Sequence, residues 1–389
     1  MDVHNESEGS TSKFLLSRRN LLAAGGAVTA AAFLAACSSN SSDSSSASAT
    51  AASDGGAPST PPEKPAKIVM RAWGEPYSTT LAATAGATFT KNTGIPVEFD
   101  LTDFGEMKVK IEQAFKAGER PFVDVAYTTA PDAFIASQIG YTQTLDTQNL
   151  VTNYSSLSNV GKPDDGTTNW VNIYSYTIPV LYRTDLITFP SPMGFDELWN
   201  PKYKGQFTIN IDPNVLVWPM AKMMGLDPAI DDLTPLWARV AELKPNLGAI
   251  WSSDSEFLTL INSGQVAFSM GLPGNAGFID NGAAIVPTGG VSLSGDSLYI
   301  PKGLPDNVTY WSQVFVNEVI GAQAQTEFCK TIGAVPTNVD ATLSDFMVGN
   351  PVYPFTDAEL AEFAIPVINS VYADNRDQWI EAMTNALQS

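Results

Sequence analysis

Short apolar runs alternate with amphipathic segments along most of the chain. Residues 68–72 and 95–101 have the composition of strands, and the segment 79–90 between them has the spacing of a helix, followed by a turn at "NTG". A strand, a helix and a second strand in this order form a βαβ unit, whose two strands lie parallel in one sheet. The pattern therefore predicts an α/β fold from the start of the ordered part of the chain.

The same rhythm returns in later segments. Val109, Ile111, Ala114 and Phe115 are spaced as on one helix, before the strand-like "FVDVAY". In "EFLTLINSGQVAFSMGLPG" an apolar helix stops at Gly264 and the strand "QVAFSM" follows. Because the rhythm persists on both sides of "YSYTIPVLYRTD", we expect two lobes, each a mainly parallel sheet flanked by helices.

The length and the charge of the chain narrow the class of function. Of its 389 residues 44% are hydrophobic, and the part after about residue 67 has roughly twice the size of a usual domain, as two lobes require. The formal net charge of -20 argues against nucleic acid as a partner, because phosphates bind basic surfaces. Such acidity is typical of a soluble exported protein and also attracts cationic ligands, and both interpretations stay open.

The N-terminal segment differs from everything after it. Arg18 and Arg19 precede an apolar stretch at 21–36, which is shorter than the roughly 20 residues of a membrane-spanning helix. A basic region, an apolar region and small residues in this order predict a secretory signal of the twin-arginine type at 1–36. The segment "LAAC", which ends at Cys37, resembles the bacterial lipobox, in which the cysteine becomes the lipidated N-terminus.

The segment after Cys37 is rich in serine, alanine and proline. Residues 37–66 have too few apolar side chains to form a core and are predicted to be a disordered tether. We therefore expect an exported protein at the periplasmic or extracytoplasmic face, attached to the membrane through a lipid on Cys37.

Histidine and cysteine usage excludes several kinds of catalytic site. The single histidine, His4, lies in the predicted signal peptide, so the body has no Ser-His-Asp or Cys-His site and no His-ligated metal. Cys329 lies in a helical pattern and has no disulfide partner once Cys37 is acylated. We expect no cofactor and no metal, while carboxylate chemistry of the glycosidase kind stays open as an alternative.

Candidate ligand-binding side chains lie in the loops that follow predicted strands. Ligands of open α/β sheets bind beyond the carboxyl ends of the strands, which here are the loops "AWGEPY", "TTAP", "NIDPN", "GLPGN" and "LSGDS". The aromatic, hydroxyl and carboxylate side chains of these loops are Trp73, Glu75, Tyr77, Thr129, Asp212 and Asp296. Aromatic faces and carboxylates bind a buried cation, and the same loops contain no lysine or arginine to neutralise the acids.

Seven segments resemble one family in the same order along the chain. They are "AWGEPY", "FTKNTGIPVEF", "FVDVAY", "FDELWNPKYKGQFTI", "LINSGQVAFSM", "GDSLYIPKG" and "IGAVPTNVDA". Together they resemble the spermidine/putrescine-binding proteins of bacterial ABC importers, which belong to the type II periplasmic binding proteins. The likeness implies two α/β lobes joined by hinge strands, with lobe 1 at 67–177 and 297–350 and lobe 2 at 178–296 and 351–389.

The resemblance also implies roles for individual residues. Trp73 matches an aromatic that lines the methylene chain of the ligand, and Glu75 matches an acid that accepts an amine. Tyr77 lies beside them, and Asp296 matches the aspartate near the hinge that holds an ammonium group. The remaining matches are a hydroxyl at Thr129, an acid of the second lobe at Asp212 and a cleft aromatic at Tyr353.

Three positions depart from the pattern of the polyamine-binding family. Val215 replaces a second acid of the second lobe, Ser294 replaces an aromatic close to Asp296, and Leu272 replaces a tryptophan. With fewer aromatic walls, a shorter or differently shaped amine fits as well as spermidine does.

The resemblance implies capture of a ligand rather than catalysis. We expect a monomer that binds a small cationic amine between its lobes and delivers it to ABC permease subunits. The alternatives are the same scaffold with phosphonate, thiamine or ferric iron as ligand, an anchored carboxylate-based hydrolase, and a sensory receptor.

Overall fold

The structure is a computed structural model that describes residues 60–388. The predicted signal peptide, the predicted lipid anchor Cys37 and the predicted tether up to residue 59 lie outside the described residues. The strands of the described part are β1 (Ile68–Arg71), β2 (Val97–Asp100), β3 (Val125–Thr129), β4 (Val171–Thr177), β5 (Val180–Arg183), β6 (Phe207–Asn210), β7 (Leu247–Trp251), β8 (Phe268–Met270), β9 (Gly282–Ile285), β10 (Val291–Tyr299), β11 (Val335–Pro336) and β12 (Ala364–Pro366).

The α-helices alternate with these strands. They are α1 (Tyr77–Leu81), α2 (Ala87–Thr93), α3 (Phe104–Ala117), α4 (Ala130–Ile139), α5 (Val217–Met224), α6 (Thr234–Ala241), α7 (Asp254–Asn262), α8 (Asp306–Val319), α9 (Ala322–Ile332), α10 (Asp357–Phe363) and α11 (Asn369–Gln388). A π-helical turn at Ala82–Gly86 joins α1 to α2, so the two form one helical segment.

The strands form two separate sheets. The first sheet has the order β11-β4-β10-β3-β1-β2, with β12 paired to β10, and the second has the order β7-β6-β8-β5-β9. We call each sheet with its flanking helices a lobe, the first lobe being the one that contains β1. The expected α/β architecture with two lobes is confirmed.

The sheets are mixed, so the expectation of mainly parallel sheets is wrong in this detail. In the first sheet β1 is parallel to β2 and β3, whereas β10 runs antiparallel to β3 and β4. In the second sheet β6 is parallel to β7 and β8, whereas β5 runs antiparallel to β8 and β9. The antiparallel pairs arise where the chain passes between sheets, because β5 enters the second sheet directly from β4 and β10 returns to the first.

Helices cover both faces of the first sheet. On one face Phe89, Phe315 and Phe328 of α2, α8 and α9 belong to a single buried core. On the other face α3 and α4 pack through Met107 and Ala133. The first lobe therefore has three layers, and its apolar surface is removed from water on both sides of the sheet.

The second sheet is also covered on both faces. Met220 of α5, Leu236 of α6 and Trp379 of α11 share one core with this sheet. Phe257 of α7 packs with Leu181 of β5 in a second, smaller core. Both lobes therefore hold the loops at their strand ends on a well-packed scaffold.

Two strands connect the lobes through short segments. Thr177 is the last residue of β4 in the first sheet, and Val180 is the first residue of β5 in the second. In β10, Val291 packs in a core of the second lobe and Leu298 packs in a core of the first. These strands position the facing loops of the two lobes.

Several boundaries differ from the sequence prediction. The helical segment that was expected at 79–90 begins at Tyr77 and ends at Thr93, where Gly94 takes a φ of 76° that favours glycine. In α3 the side chains of Val109 and Phe115 are 51% and 38% exposed, and Met107 and Ile111 are buried instead. The buried face of α3 therefore follows the four-residue spacing of Met107 and Ile111.

Residues 62–64, which fall within the predicted tether, contact the first lobe. The ammonium group of Lys64 donates to the carbonyl oxygen of Thr93 at 2.6 Å, and Trp311 Nε1 donates to that of Pro62 at 3.3 Å. Residues 62–64 therefore lie on the surface of the first lobe. Across residues 60–388, none of the helices combines the length and the apolar character needed to span a bilayer.

Candidate ligand-binding cleft

A cleft of about 1100 Å³ lies between the loops of the two lobes. The first lobe contributes the loop after β1, the ends of β3 and β4, and the end of α9. The second lobe contributes the start of α7 and the loop at 272–278 that follows β8. Six of the predicted site residues line this cleft, namely Trp73, Glu75, Tyr77, Thr129, Asp296 and Tyr353.

Asp296 forms the polar centre of the first-lobe wall. The sheet register places it opposite Thr129 of β3 and opposite Tyr174 of β4. Its Oδ2 accepts hydrogen bonds from Trp73 Nε1 at 2.8 Å and from the Tyr174 hydroxyl at 2.6 Å. The Tyr174 hydroxyl in turn accepts a hydrogen bond from Tyr127 at 2.9 Å. Within residues 60–388 no hydrogen bond reaches Oδ1 of Asp296, so this oxygen can accept from a ligand.

Burial makes the charged form of Asp296 unfavourable. The side chain is 7% exposed, and burial raises its pKa to about 6, while the hydrogen bonds from Tyr174 and Trp73 and the charge of Arg71 act in the opposite direction. Asp296 is therefore largely ionised at pH 7, but at a free-energy cost of about 3 kcal/mol relative to an exposed aspartate. A cation bound at Oδ1 would offset this cost.

Arginine and lysine lie closer to the acids than the sequence suggested. The guanidinium of Arg71 is 4.0 Å from the ring centroid of Trp73, and it donates to the carbonyl oxygen of Tyr127 at 2.9 Å. Burial lowers the pKa of Arg71, whereas Asp296 raises it. Lys330, near the end of α9, also lines the cleft. The candidate loops themselves contain no lysine or arginine, but β1 and α9 bring these two basic side chains near the acids from outside the loops.

Aromatic side chains form the wall around Asp296. The ring of Tyr77 stacks on that of Tyr174 with centroids 6.5 Å apart and an interplanar angle of 30°, and the Tyr174 and Tyr176 rings are 6.1 Å apart. Tyr353 packs edge-on against Phe346 at 5.5 Å. Such faces can bind the methylene groups of a ligand or a cation above the ring.

Thr129 lines the cleft, but its hydroxyl is already occupied. It caps the N-terminus of α4, where its Oγ1 donates to Asp132 Oδ2 at 2.8 Å and accepts from the backbone N–H of the same residue at 3.4 Å. Asp132 also accepts hydrogen bonds from Lys108 at 3.0 Å and from Arg376 at 3.2 Å. Thr129 therefore orients α4 at the edge of the cleft.

Asp212 is placed away from the cleft lining, unlike the other predicted site residues. Its Oδ1 accepts from the backbone N–H of Asn214 at 3.0 Å, as the cap of a short helical turn, and from the Tyr372 hydroxyl at 2.9 Å. Burial raises its pKa. Asp212 is thus not among the residues that line the cleft, and Tyr372 of α11 occupies its carboxylate.

Other lining residues were not among the predicted ones. They include Tyr174, Tyr176, Asp254, Leu272, Asn275, Phe278, Lys330 and Phe346. Tyr174 and Tyr176 alternate along β4, and alternate residues of a strand share one face, so the strand pattern itself contained a signal for them. Leu272 lies in the "GLPGN" loop, which the rule of strand ends selected correctly.

A second cavity, of about 420 Å³, lies in the second lobe. It is lined by residues that include Phe195, Asp196, Lys222 and Met223. None of the predicted site residues lines it. The larger cleft, where carboxylates and aromatic rings of both lobes converge, is therefore the candidate ligand site.

Solved structures to which the chain is similar include proteins described as ABC transporter components or as receptors. The spermidine/putrescine ABC transporter substrate-binding protein PotD from Streptococcus pneumoniae shares 18% identity over 82% of this chain and 99% of that chain, with a TM-score of 0.66. A structure described as a GABA receptor shares 20% identity over 83% of this chain and 98% of that chain, with a TM-score of 0.64. The agropinic acid complex of the PBP AgtB from A. tumefaciens R10 shares 20% identity over 83% of this chain and 99% of that chain, with a TM-score of 0.59.

These likenesses establish the fold. No curated protein matches the chain. The family and the structural neighbours are substrate-binding components of transporters and not enzymes. Residues 84–354 match the family model described as bacterial extracellular solute-binding protein, and the chain therefore belongs to this family.

Proposed function

We propose that this solute-binding protein captures a small organic cation in the cleft and delivers it to the permease subunits of an ABC importer. The ligand class is a polyamine such as putrescine or spermidine, or a related amine. The observation that carries the proposal is the buried carboxylate of Asp296, whose Oδ2 is held by Trp73 and Tyr174 and whose Oδ1 faces no donor within residues 60–388.

The chemistry of the wall supports an ammonium ligand. An ammonium group that leaves water needs acceptors to replace its lost hydrogen bonds, and a charge-assisted hydrogen bond to Asp296 contributes about 1.5–3 kcal/mol. Glu75 lines the same side of the cleft as a second acid. The rings of Trp73 and Tyr77 offer the methylene part of the ligand an apolar surface. The likeness to PotD, which is described as a spermidine/putrescine-binding protein, agrees with this class of ligand.

The proposed mechanism is closure of two lobes around the ligand. We place lobe 1 at 67–177 and 296–350 and lobe 2 at 178–295 and 351–389, one residue from the boundary that the sequence implied, because Asp296 pairs with Thr129 and Tyr174 in the first sheet. The division of the strands between two sheets supports this proposal, because β4 and β5 belong to different sheets. A ligand that contacts both lobes binds the closed state more tightly and therefore increases its population.

The proposed location is the outer face of the membrane, with the body attached through Cys37. It is supported by the twin arginines Arg18 and Arg19, by the "LAAC" segment and by the Ser-rich residues that follow. The extracellular family agrees with export.

A screen by thermal shift tests the ligand class. The purified protein is heated with putrescine, spermidine, γ-aminobutyrate, other amino acids, a phosphonate, thiamine and a ferric salt in turn. A ligand that binds only the folded state stabilises it by about 2.7 kcal/mol at a concentration of 100 times Kd, so a true ligand raises Tm. We expect the amines to do so. Stabilisation by the phosphonate, thiamine or the ferric salt alone would contradict the proposal, and chemical conversion of a bound compound would favour the hydrolase alternative.

A further inference from the structure

We infer that Asp254 of the second lobe binds a second cationic group, so that the cleft selects ligands with an ammonium group at each end. This inference rests on the proposed function and names a residue and a ligand class within it. It replaces Asp212 as the acid that the second lobe contributes.

Asp254 is the second-lobe carboxylate of the cleft lining. It is the first residue of α7, whose N-terminus is capped by Ser253, and the helix is anchored by the buried side chain of Phe257. No lysine or arginine within residues 60–388 forms an ion pair with it. Asp212, by contrast, accepts the Tyr372 hydroxyl outside the cleft lining. The backbone of Asp254 is therefore held in place by α7, while its carboxylate is free of an ion pair with any described residue and can bind a cation.

The environment of Asp254 is concave. By surface area the side chain is exposed, yet burial raises its pKa, as expected for a carboxylate that contacts water only inside a cleft. The phenol of Tyr77 lies within electrostatic range of both Asp254 and Asp296, since each carboxylate raises its pKa in addition to burial. The ring of Tyr77 is thus an apolar surface with one acid from each lobe in reach.

A neighbouring amide completes the second-lobe end of the cleft. Asn275 is 9% exposed and lines the same cleft, and its Nδ2 has no hydrogen-bond partner within residues 60–388. It lies close enough to lower the pKa of Asp254. A side-chain amide has both a donor and an acceptor, so Asn275 can direct its nitrogen to the carboxylate and its oxygen to an ammonium group.

The charge of the lining also favours a doubly charged cation. The lining contains the three carboxylates of Glu75, Asp254 and Asp296 and one ammonium group, that of Lys330, so its side chains carry a net charge of two negative units when ionised. A ligand with two ammonium groups neutralises both charges. A ligand with one ammonium group leaves the Asp254 carboxylate, which lies inside the cleft, without a cationic partner.

The test compares a diamine with a monoamine of equal length. Calorimetric titrations of 1,4-diaminobutane and of pentan-1-amine are performed on the wild type, on Asp254→Asn and on Glu256→Gln. Glu256 is the matched control, because it is an acid in the same first turn of α7 but is bound to Ser252 and does not line the cleft. Thermal unfolding without ligand checks that each variant is folded.

We expect Asp254→Asn to lower the affinity for the diamine roughly tenfold to hundredfold and the affinity for the monoamine less than about threefold. Glu256→Gln should change neither affinity by more than about threefold. Equal losses for both amines, or unchanged diamine affinity in Asp254→Asn, would overturn the role of Asp254 while leaving the amine site itself in place. If the wild type binds neither amine, the proposed function fails, and this inference fails with it.

Discussion

The indole Nε1 of Trp73 donates a 2.8 Å hydrogen bond to Oδ2 of Asp296, although 223 residues separate the two in the sequence. The bond ties the loop after β1 to the strand β10, which returns from the second lobe. It also occupies one oxygen of the carboxylate and leaves the other for a ligand. The candidate binding residue Asp296 is thus held in place by Trp73, which comes from a distant part of the chain.

The Tyr174 hydroxyl tunes the charge of this carboxylate. Its 2.6 Å hydrogen bond lowers the pKa of Asp296, against the larger effect of burial. Tyr174→Phe should therefore raise the pKa of Asp296. The loss of amine affinity on acidification should then begin at a higher pH than in the wild type. Amine affinity measured across pH 5–8 in the wild type and the variant checks this. Tyr176→Phe is the control, since its ring also lines the cleft without bonding to Asp296; an equal displacement in both variants would contradict the assignment.

The ionised Asp296 should destabilise the protein when no ligand is bound. Its pKa is about 6 in the folded state and 3.8 in the reference state, so the folded state binds the proton more tightly, and its contribution to stability falls as pH rises from about 4 through 6. We expect Asp296→Asn to raise the free energy of unfolding at pH 7 by about 1–3 kcal/mol. The gain should vanish near pH 4.

Denaturant unfolding of both proteins at pH 4 and pH 7 measures this difference. A gain that is the same at both pH values would mean that shape, not charge, is responsible. A loss of stability at pH 7 would mean that the carboxylate is stabilised in the ligand-free protein.

The two lobes approach each other closely at Gly274. A Cβ on this residue would lie 2.4 Å from the carbonyl oxygen of Ile332, which belongs to the first lobe. Gly274→Ala should therefore hold the lobes apart and lower the affinity for the ligand more than tenfold. The Tm of the ligand-free protein should change little, because opening of the lobes relieves the clash. Gly277→Ala is the control in the same loop, since nothing lies within 4 Å of its added Cβ.

Small-angle scattering distinguishes closure from a local effect. With saturating ligand, the wild type and Gly277→Ala should show a smaller radius of gyration than Gly274→Ala. The same radius of gyration and the same affinity in all three proteins would contradict the idea that the lobes close by bringing Gly274 against Ile332.

The anchor is a separate prediction about the N-terminal segment. If Cys37 carries the proposed lipid on its thiol, Cys37→Ala should leave the protein unprocessed or release it from the membrane. Membrane fractionation with labelling by a radioactive fatty acid measures this, and an acylated, membrane-bound variant would refute it. Replacing Arg18 and Arg19 with lysine should stop export; normal export would instead indicate the general secretory route.

Local patterns predicted the fold class and most of the first-lobe wall. The βαβ rhythm located the strands, and the rule that ligands bind beyond strand ends selected Trp73, Tyr77 and Asp296, all of which line the cleft. This worked because the side chains lie one to a few residues from the strands that position them.

Long-range partners were not predictable in the same way. Asp212 follows a strand as Asp296 does, but Tyr372 comes from α11, 160 residues away, and occupies it. An acid at a helix start, such as Asp254, has the ordinary interpretation of a charge that favours the helix N-terminus. Only the packing of α7 against the second sheet places it in the cleft. The direction of β10 was likewise set by its route between lobes and not by its own sequence.

Calorimetric titration of 1,4-diaminobutane into the wild type and Asp296→Asn, at pH 7 and pH 5, tests the central claim most directly. The amine stays charged at both values while Asp296, with a pKa of about 6, becomes protonated at the lower one, so wild-type affinity should fall about tenfold. Asp296→Asn should bind on the order of 2–4 kcal/mol more weakly at pH 7, or roughly thirtyfold to a thousandfold, with little dependence on pH. Equal affinities of the two proteins at both pH values would contradict the claim that this carboxylate holds the ligand.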